Sequence, residues 1–413
     1  MPILDNVGST DVTQQILQAQ QSSQILSTEQ ELIVKESFTL SVVMIVKDEE
    51  EYIGRCLDSL QILGYEELII VDTGCTDRTV EIAQKYPNVK IYEFEWVHDF
   101  SAARNFSIAQ ATQEWCMWID ADMYFLKEDA LNLRNILRNR LYQAQHNAFS
   151  LMLRNVDTDD GWNLARLWRR SEGFLFECPV HEILSPMPDK PDGMRLISLD
   201  VTLQHDRDGH VGGLEYHDLL LKWLEDKPED QRALFYMAKH CHLMATQAEL
   251  PEAAEKLYDE ALRYYDRAAQ KGRDSGVYLN AGNIYYERQK WEEALQYAFK
   301  AMETDCTYAE PFILAANCYD EIGNMANAIA MYKVAKHMER PFHATKATSQ
   351  AMYDYVPCIN LAQCYLKVSA IDSAIDAYME ALRTAVDDQM RETAISGLRY
   401  IYQSFTKMPL PTS

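Results

Sequence analysis

The 413-residue chain has no apolar run near the ~18–20 residues that a bilayer-spanning helix needs, and its polar start, MPILDNVGSTDVTQQ, lacks the charged-then-apolar order of a signal peptide. The expectation is a soluble, cytoplasmic protein without a membrane span. Basic residues are also in short supply: 39 Lys and Arg stand against 63 Asp and Glu, a formal charge of -24. Phosphate backbones are bound through clustered Lys and Arg, and no such block occurs, so nucleic acid is not an expected partner. The nine cysteines lie scattered from Cys56 to Cys364 and never form a C-x-x-C pair. That spacing argues against a disulfide framework and a zinc ribbon, and for reduced, mostly core thiols.

What is present suffices for two or three cores, since 47% of the residues are hydrophobic. Residues 1–38, rich in Gln, Ser and Thr, read as a flexible leader with one weak helix around residues 12–26. From Leu40 short apolar runs alternate with helical patterns, the signature of β-α-β units on a largely parallel sheet. SVVMIVKDEEEYIGRCLDSLQILG supplies a strand, an acidic turn and a helix with Ile53, Cys56, Leu57 and Leu60 on one face. ELIIVDTGCTDRTVEIAQKYP repeats the plan, with its helix ending before Pro87; KIYEFEW, FSAARNFSIAQAT and EWCMWID add a strand, a helix and a fourth strand. An α/β domain is expected over residues 39–226.

After about residue 227 the strands vanish from the pattern. Gly282, Tyr285, Ala294, Ala298 and Ala301 recur 34 residues on as Ala316, Tyr319, Ala328, Tyr332 and Ala335. A further step of 46 gives Ala362, Tyr365, Ala374, Tyr378 and Ala381, and a looser copy holds Ala238, Ala254, Tyr258 and Ala261. Small residues at helix crossings with this period resemble the tetratricopeptide (TPR) repeat, giving an all-α repeat domain over residues 227–413.

The stretch WIDADMYF places Asp120 and Asp122 at the carboxyl end of the fourth strand, the edge where open α/β sheets bind ligands. On an extended strand both carboxylates share one side and repel unless a hard divalent cation, Mg or Mn, sits beside them. A carboxylate capping the following helix, KEDALNLRNIL, is the competing explanation. Asp72 ends the second strand, where it could accept a hydrogen bond from a nucleobase or ribose, while Asp77 and Thr79 read as turn and cap residues. Arg104 is a candidate phosphate or ribose partner through its planar fork, or else a surface ion pair. Downstream, LARLWRRSEGFLFECPVHEIL contributes Arg166, Trp168, Arg169, His181 and Glu182. Trp168, with Arg169, is a candidate acceptor or sugar subsite, although an indole serves the core equally well. His181 and Glu182 form an imidazole–carboxylate pair able to supply a general base, and His205 suits a metal site.

In order and spacing, VMIVKDEE, IIVDTGCTDRT, FSAARN and WIDADMYF resemble glycosyltransferase family 2, the GT-A fold with a mixed, mainly parallel sheet, over roughly residues 40–213. The helical tail narrows the likeness to bacterial family 2 enzymes fused to TPR-like repeats, among them the peptide S-glycosyltransferases of sublancin-type glycocins. The resemblance implies that Val46 and Glu49 line the nucleotide pocket, Asp72 holds the base, and Arg104 neighbours the ribose or phosphate. Asp120 then contacts the ribose or the metal shell, with Asp122 as metal ligand and His205 as a further ligand. Glu182 is the implied acceptor-side base, with His181 as runner-up. Thr73-Gly74-Cys75 departs from the usual Asp-Gly-Ser turn, which weakens a capping hydroxyl. The implied activity is metal-dependent, inverting transfer from a nucleotide-sugar donor, a UDP-sugar such as UDP-glucose, to a Cys, Ser or Thr side chain of a peptide or protein. A cell-surface glycan or lipid-linked acceptor is the alternative, and a non-catalytic assembly module with a decayed GT-A domain is the alternative of another class. The repeats are expected either to bind the acceptor or to form a homodimer.

Overall fold

The computed structural model describes residues 38–139, 144–156, 160–187, 193–206, 214–341, 346 and 348–405. The expected leader, with its helix at residues 12–26, lies outside the described residues. The first part alternates β1 (Leu40–Val46), α1 (Ile53–Leu63), β2 (Glu67–Asp72), α2 (Thr79–Ala83), β3 (Val89–Glu93), α3 (Phe100–Gln110) and β4 (Trp115–Trp118). It continues with β5 (Met123–Phe125), α4 (Lys127–Leu137), β6 (Ala148–Asn155), β7 (Asp160–Arg169), β8 (Phe174–Glu177), β9 (Ile183–Pro186) and β10 (Leu196–His205). One mixed sheet runs β3-β2-β1-β4-β7-β6-β10-β5, while β8 and β9 form a separate hairpin. β3, β2, β1 and β4 are mutually parallel, as are β6 and β10; β7 runs antiparallel to β4 and β6, and β5 to β10.

β1 and β2 are buried on both faces, which is why they read as unbroken aliphatic runs rather than alternating ones. Val42, Met44, Leu68 and Ile70 pack with Ile53, Leu57 and Leu60 of α1, while Val43, Ile69 and Val71 face a second cluster holding Trp118, Trp168 and Phe176. The carboxyl ends of β1, β2 and β4 therefore open on one edge, with a helix packed on each side.

Ten helices follow among the described residues. They are α5 (Leu214–Asp226), α6 (Gln231–Gln247), α7 (Pro251–Lys271), α8 (Ser275–Glu287) and α9 (Trp291–Thr304), then α10 (Glu310–Glu321), α11 (Met325–Lys336), α12 (Tyr355–Lys367), α13 (Ile371–Thr384) and α14 (Asp388–Phe405). The repeating alanines Ala294, Ala298, Ala301, Ala316, Ala328, Ala335, Ala362, Ala374 and Ala381 are fully buried. At Gly282 a Cβ would lie 2.8 Å from Leu314 Cδ2, so the glycine sets the closeness of that crossing. α5 falls inside the span expected for the α/β domain, yet Leu219, Leu220 and Trp223 join the helical core with Ala233, Leu234 and Met237 of α6.

The step of 46 between the last two repeats, against 34 before it, has a structural cause. The extra residues carry β11 (Thr348–Ser349), which pairs antiparallel with Gly161 and Asp160 of β7. Arg340 Nη2 secures the junction, donating to the carbonyls of Gly161 at 3.1 Å and Thr348 at 2.7 Å. Strands therefore do not vanish after residue 227: one short segment of the repeat region completes the sheet. All nine cysteines are free and most are buried, and no described helix is long and apolar enough to cross a membrane.

Candidate active site

α3 is fixed at two points. Asp99 caps it by accepting from the Ala102 N–H at 3.1 Å, and Asn105 exchanges two hydrogen bonds with the Phe176 backbone, at 2.9 and 2.8 Å. Arg104, between these anchors, is buried. Its Nη2 donates to Asp120 Oδ1 at 2.8 Å, and its Nε donates to Glu182 Oε1. Burial opposes the Arg104 charge, but Asp120 and Glu182 outweigh it and hold its pKa above the ordinary value. Burial would also raise Asp120, yet Arg104 and then Arg166 keep its carboxyl below the usual range. Arg104, Asp120 and Glu182, separated by 16 and 78 residues from Arg104 respectively, thus form one ion-paired group.

The turn after β4 changes one expectation. The strand ends at Trp118, and the Met123 N–H bonds to the Asp120 carbonyl at 3.1 Å, so Asp120 and Asp122 do not share a phase on one extended strand. The chain must turn because β5 pairs with β10 rather than continuing β4. The carboxylates consequently meet different partners: Asp120 faces the arginines, and Asp122 Oδ2 lies 3.0 Å from His205 Nε2. Neither caps the following helix, because Leu126 is the N-cap of α4 and makes no side-chain cap bond.

Asp122 and His205 fit a divalent cation on the donor chemistry they offer. Asp122 Oδ1 is buried without a hydrogen-bond partner, an oxygen in need of a cation or donor. His205 Nδ1 lies 2.7 Å from Asn155 Oδ1, the outer-shell contact that orients a ligating imidazole. With Asn155 accepting from Nδ1, Nε2 presents a lone pair to a carboxylate oxygen unless a proton or a metal sits there. Glu49, half-buried nearby, has its pKa raised to about 7, chiefly by burial and then by Asp122 and Asp120. Such an excess of carboxylate is what a cation relieves.

Asp72 Oδ1 accepts from the N–H groups of Gly74 and Cys75 at 2.8 and 2.7 Å, tightening the turn after β2. Burial opposes its ionisation, and these backbone donors outweigh it, lowering its pKa. Val46 is buried, and its carbonyl accepts from Thr73. Asp77 caps the next turn by accepting from Thr79, as its sequence position suggests.

Three expected site residues lie elsewhere. Trp168 is 0% exposed in the core beside Phe176, so its ring offers no face to a sugar. Arg169 pairs with Glu114 and with the Trp115 backbone register at the amino end of β4, the opposite edge from Asp120. The His181 ring stacks on Tyr236, with centroids 3.6 Å apart, and its Nε2 lies 2.7 Å from the Tyr216 hydroxyl. Burial among these groups, reinforced by Arg232, pushes its pKa down to about 3.

Arg166, which the sequence names without a role, is the arginine of β7 that reaches the site, 3.6 Å from Asp120 Oδ2. It sits where the β6–β7 register slips between Phe149–Leu167 and Ser150–Ala165, a bulge that re-aims its side chain. Its guanidinium lies 3.6 Å over the Trp118 ring, which also carries Arg104 at 4.3 Å. Burial lowers its pKa to about 10, against the pull of Asp120. An arginine flanked by Leu164, Ala165, Leu167 and Trp168 is the local signal the sequence carries.

A mixed sheet carrying an acidic, arginine-clamped edge, followed by TPR-like helices, defines the class, and the comparisons with known proteins agree. The family model for glycosyl transferase family 2 matches residues 41–198. A TPR repeat-containing protein of Synechococcus elongatus is 30% identical over 298 residues, covering 60% of this chain and 71% of the relative. The SPbeta prophage-derived glycosyltransferase SunS of Bacillus subtilis is 25% identical over 236 residues, covering 55% of each chain. The lipopolysaccharide core biosynthesis glycosyltransferase LpsC of Rhizobium meliloti is 32% identical over 132 residues, 31% of this chain and 42% of that one. The chain belongs to glycosyltransferase family 2, joined to TPR-like helical repeats.

Proposed function

We propose that the chain transfers a sugar from a nucleotide diphosphate, in a single inverting displacement, to a Cys, Ser or Thr side chain of a peptide or protein. The observation that carries this reading is the Arg104 bridge between Asp120 and Glu182, with Asp122 and its unpartnered oxygen beside them. Asp122 and His205 would hold a divalent ion, Mn or Mg, which when bound supplies Lewis acidity toward the departing diphosphate. Asp72, at the end of β2, would orient the base or ribose, and Arg104 would balance charge on the donor side. Glu182 would take the acceptor proton as the anomeric carbon passes through an oxocarbenium-like state; no covalent nucleophile is needed. The residue span 39–226 would carry this chemistry, and the helices from residue 227 would present the acceptor.

The peptide acceptor rests on the TPR-like helical repeats that follow the α/β domain. The similarity to LpsC favours a second reading, in which the acceptor is a glycan. Incubating the full chain and Mn with a panel of UDP-sugars, with and without candidate peptides and oligosaccharides, separates the two by intact mass. Sugar-sized additions to peptide support the first reading, additions to oligosaccharide alone support the second, and absence of any donor binding or hydrolysis removes both. A Cys-to-Ser change in a modified peptide then reads S- against O-linkage.

A further inference from the structure

We propose that the helical repeats are part of the catalytic machinery, because Arg232 and Tyr236 of α6 clamp His181 and thereby position the Glu182 carboxylate. The proposal rests on the reading of Glu182 as acceptor-side base. Arg232 donates from Nε and Nη2 to the one His181 carbonyl oxygen, at 3.1 and 2.9 Å, so both prongs of the guanidinium hold the same peptide group. Tyr236 lies flat on the imidazole, with 3.6 Å between centroids and 14° between planes. Arg232 itself lies 5.1 Å from the Tyr236 ring centroid, so the two clamping residues support each other. Tyr216 of α5 holds the far side of the imidazole at 2.7 Å.

The backbone shows why a clamp is needed. His181 has φ 51° and Cys178 φ 78°, left-handed conformations that a non-glycine residue holds only where the surroundings enforce them. Val180 supplies part of that enforcement by burial in the helical core with Leu219, Leu220 and Trp223. From the other side, the Phe100 N–H of α3 bonds to the Pro179 carbonyl at 2.9 Å, and Arg104 of the same helix grips the Glu182 side chain. Glu182 therefore hangs between two anchors, Arg104 from the α/β layer and His181 from the helices. A shift of α6 moves the carboxylate relative to Asp120. His181, Arg232 and Tyr236 are positioning residues, and none needs to touch substrate.

The test uses the full chain with Mn and either UDP-glucose or UDP-N-acetylglucosamine, whichever it hydrolyses faster. Steady-state hydrolysis gives kcat and KM, calorimetry gives the Kd for UDP, and thermal melting reports the fold. Arg232→Met and Tyr236→Leu should lower kcat by on the order of 10–100-fold, as small misplacements of a reacting group do, with Kd for UDP unchanged. Tyr236→Phe keeps the stacked ring and should restore the rate. Arg232→Lys keeps charge and packing but loses the fork; it should show a smaller loss of kcat at an unchanged melting temperature, which keeps the test decisive if Arg232→Met unfolds. Glu182→Gln is the reference. If it loses kcat while Arg232→Met, Arg232→Lys and Tyr236→Leu stay within about twofold of the parent, the clamp is overturned and the base stands. If Glu182→Gln retains kcat, the base reading fails first, and the proposal falls with it.

Discussion

Arg166 Nη1 stands 3.6 Å from Asp120 Oδ2, just beyond hydrogen-bond length, and both its Nη1 and its Nε are buried without a hydrogen-bond partner. A fully buried cation is tolerated there only because Asp120 balances it and Trp118 offers its ring face. Asp120 is in turn kept ionised, against burial, by Arg104 and then by Arg166. Removing Arg166 as Arg166→Met should raise the Asp120 pKa. A carboxylate with a raised pKa is protonated at higher pH, so the acid limb of the kcat/KM profile should move upward in pH. Arg104→Met should move it further, Arg104 being the larger influence. An acid limb that stays put in both variants would mean that Asp120 does not limit the reaction.

Asp122 tests the metal. Its Oδ1 has no partner, and His205 meets only its Oδ2, so Asp122→Ala removes the proposed cation ligand and few other contacts. Metal-stimulated donor turnover should fall by on the order of 100-fold or more with the melting temperature nearly unchanged. The comparison is turnover with added Mn against turnover in chelator, for parent and variant. Full stimulation in Asp122→Ala would remove it from the metal site.

How much of this was legible in the sequence follows from how local each signal is. Strands β1 and β2 and the carboxyl-edge position of Asp120 come from apolar runs and turn residues within a few positions, and the structure has them. The helical repeats were equally readable, because Ala316, Ala328 and Ala335 recur in register with Gly282, Ala294 and Ala301. Arg166 was visible as a residue but its role was not, because a β-bulge is a property of the pairing between β6 and β7 and leaves no spacing within either strand. The irregular 46-residue step was visible as a count, but its cause lies 187 residues away from Thr348, at Gly161 in β7 (348 − 161). The same distance effect hid the fate of His181, whose partners Tyr216 and Tyr236 belong to helices that the sequence assigned no role beside it.

That long-range junction gives a third prediction. A Cβ on Gly161 would lie 2.8 Å from Arg340 Nη2 and 2.9 Å from the Leu153 carbonyl oxygen, and the second of these is backbone and cannot step aside. Gly161→Ala should therefore loosen the β7–β11 pairing and lower stability by about 1–3 kcal/mol, the usual cost of overpacking. Denaturant unfolding measures the loss, and faster amide exchange at residues 160–161 and 348–349 would locate it. Unchanged exchange at both segments would show that β11 does not depend on this close approach.

His181 supplies the last prediction, a pH dependence of stability. Burial first, then Arg232 and Lys239, push its pKa down to about 3, far below the ~6.5 of a free imidazole. The folded chain thus refuses a proton that the unfolded chain accepts. The group's contribution is fully present above pH ~6.5 and is lost as pH falls toward the folded value, at up to about 1.4 kcal/mol per pH unit. His181→Phe keeps an aromatic ring against Tyr236 and abolishes the titration, at the expense of the Tyr216 hydrogen bond. The variant should melt lower than the parent at pH 7.5 but lose less on acidification to pH 5, so the two melting curves converge. Parallel curves over that range would show that the imidazole is as free to take a proton in the folded chain as in the unfolded one, and that the ring is not held by the helices in solution.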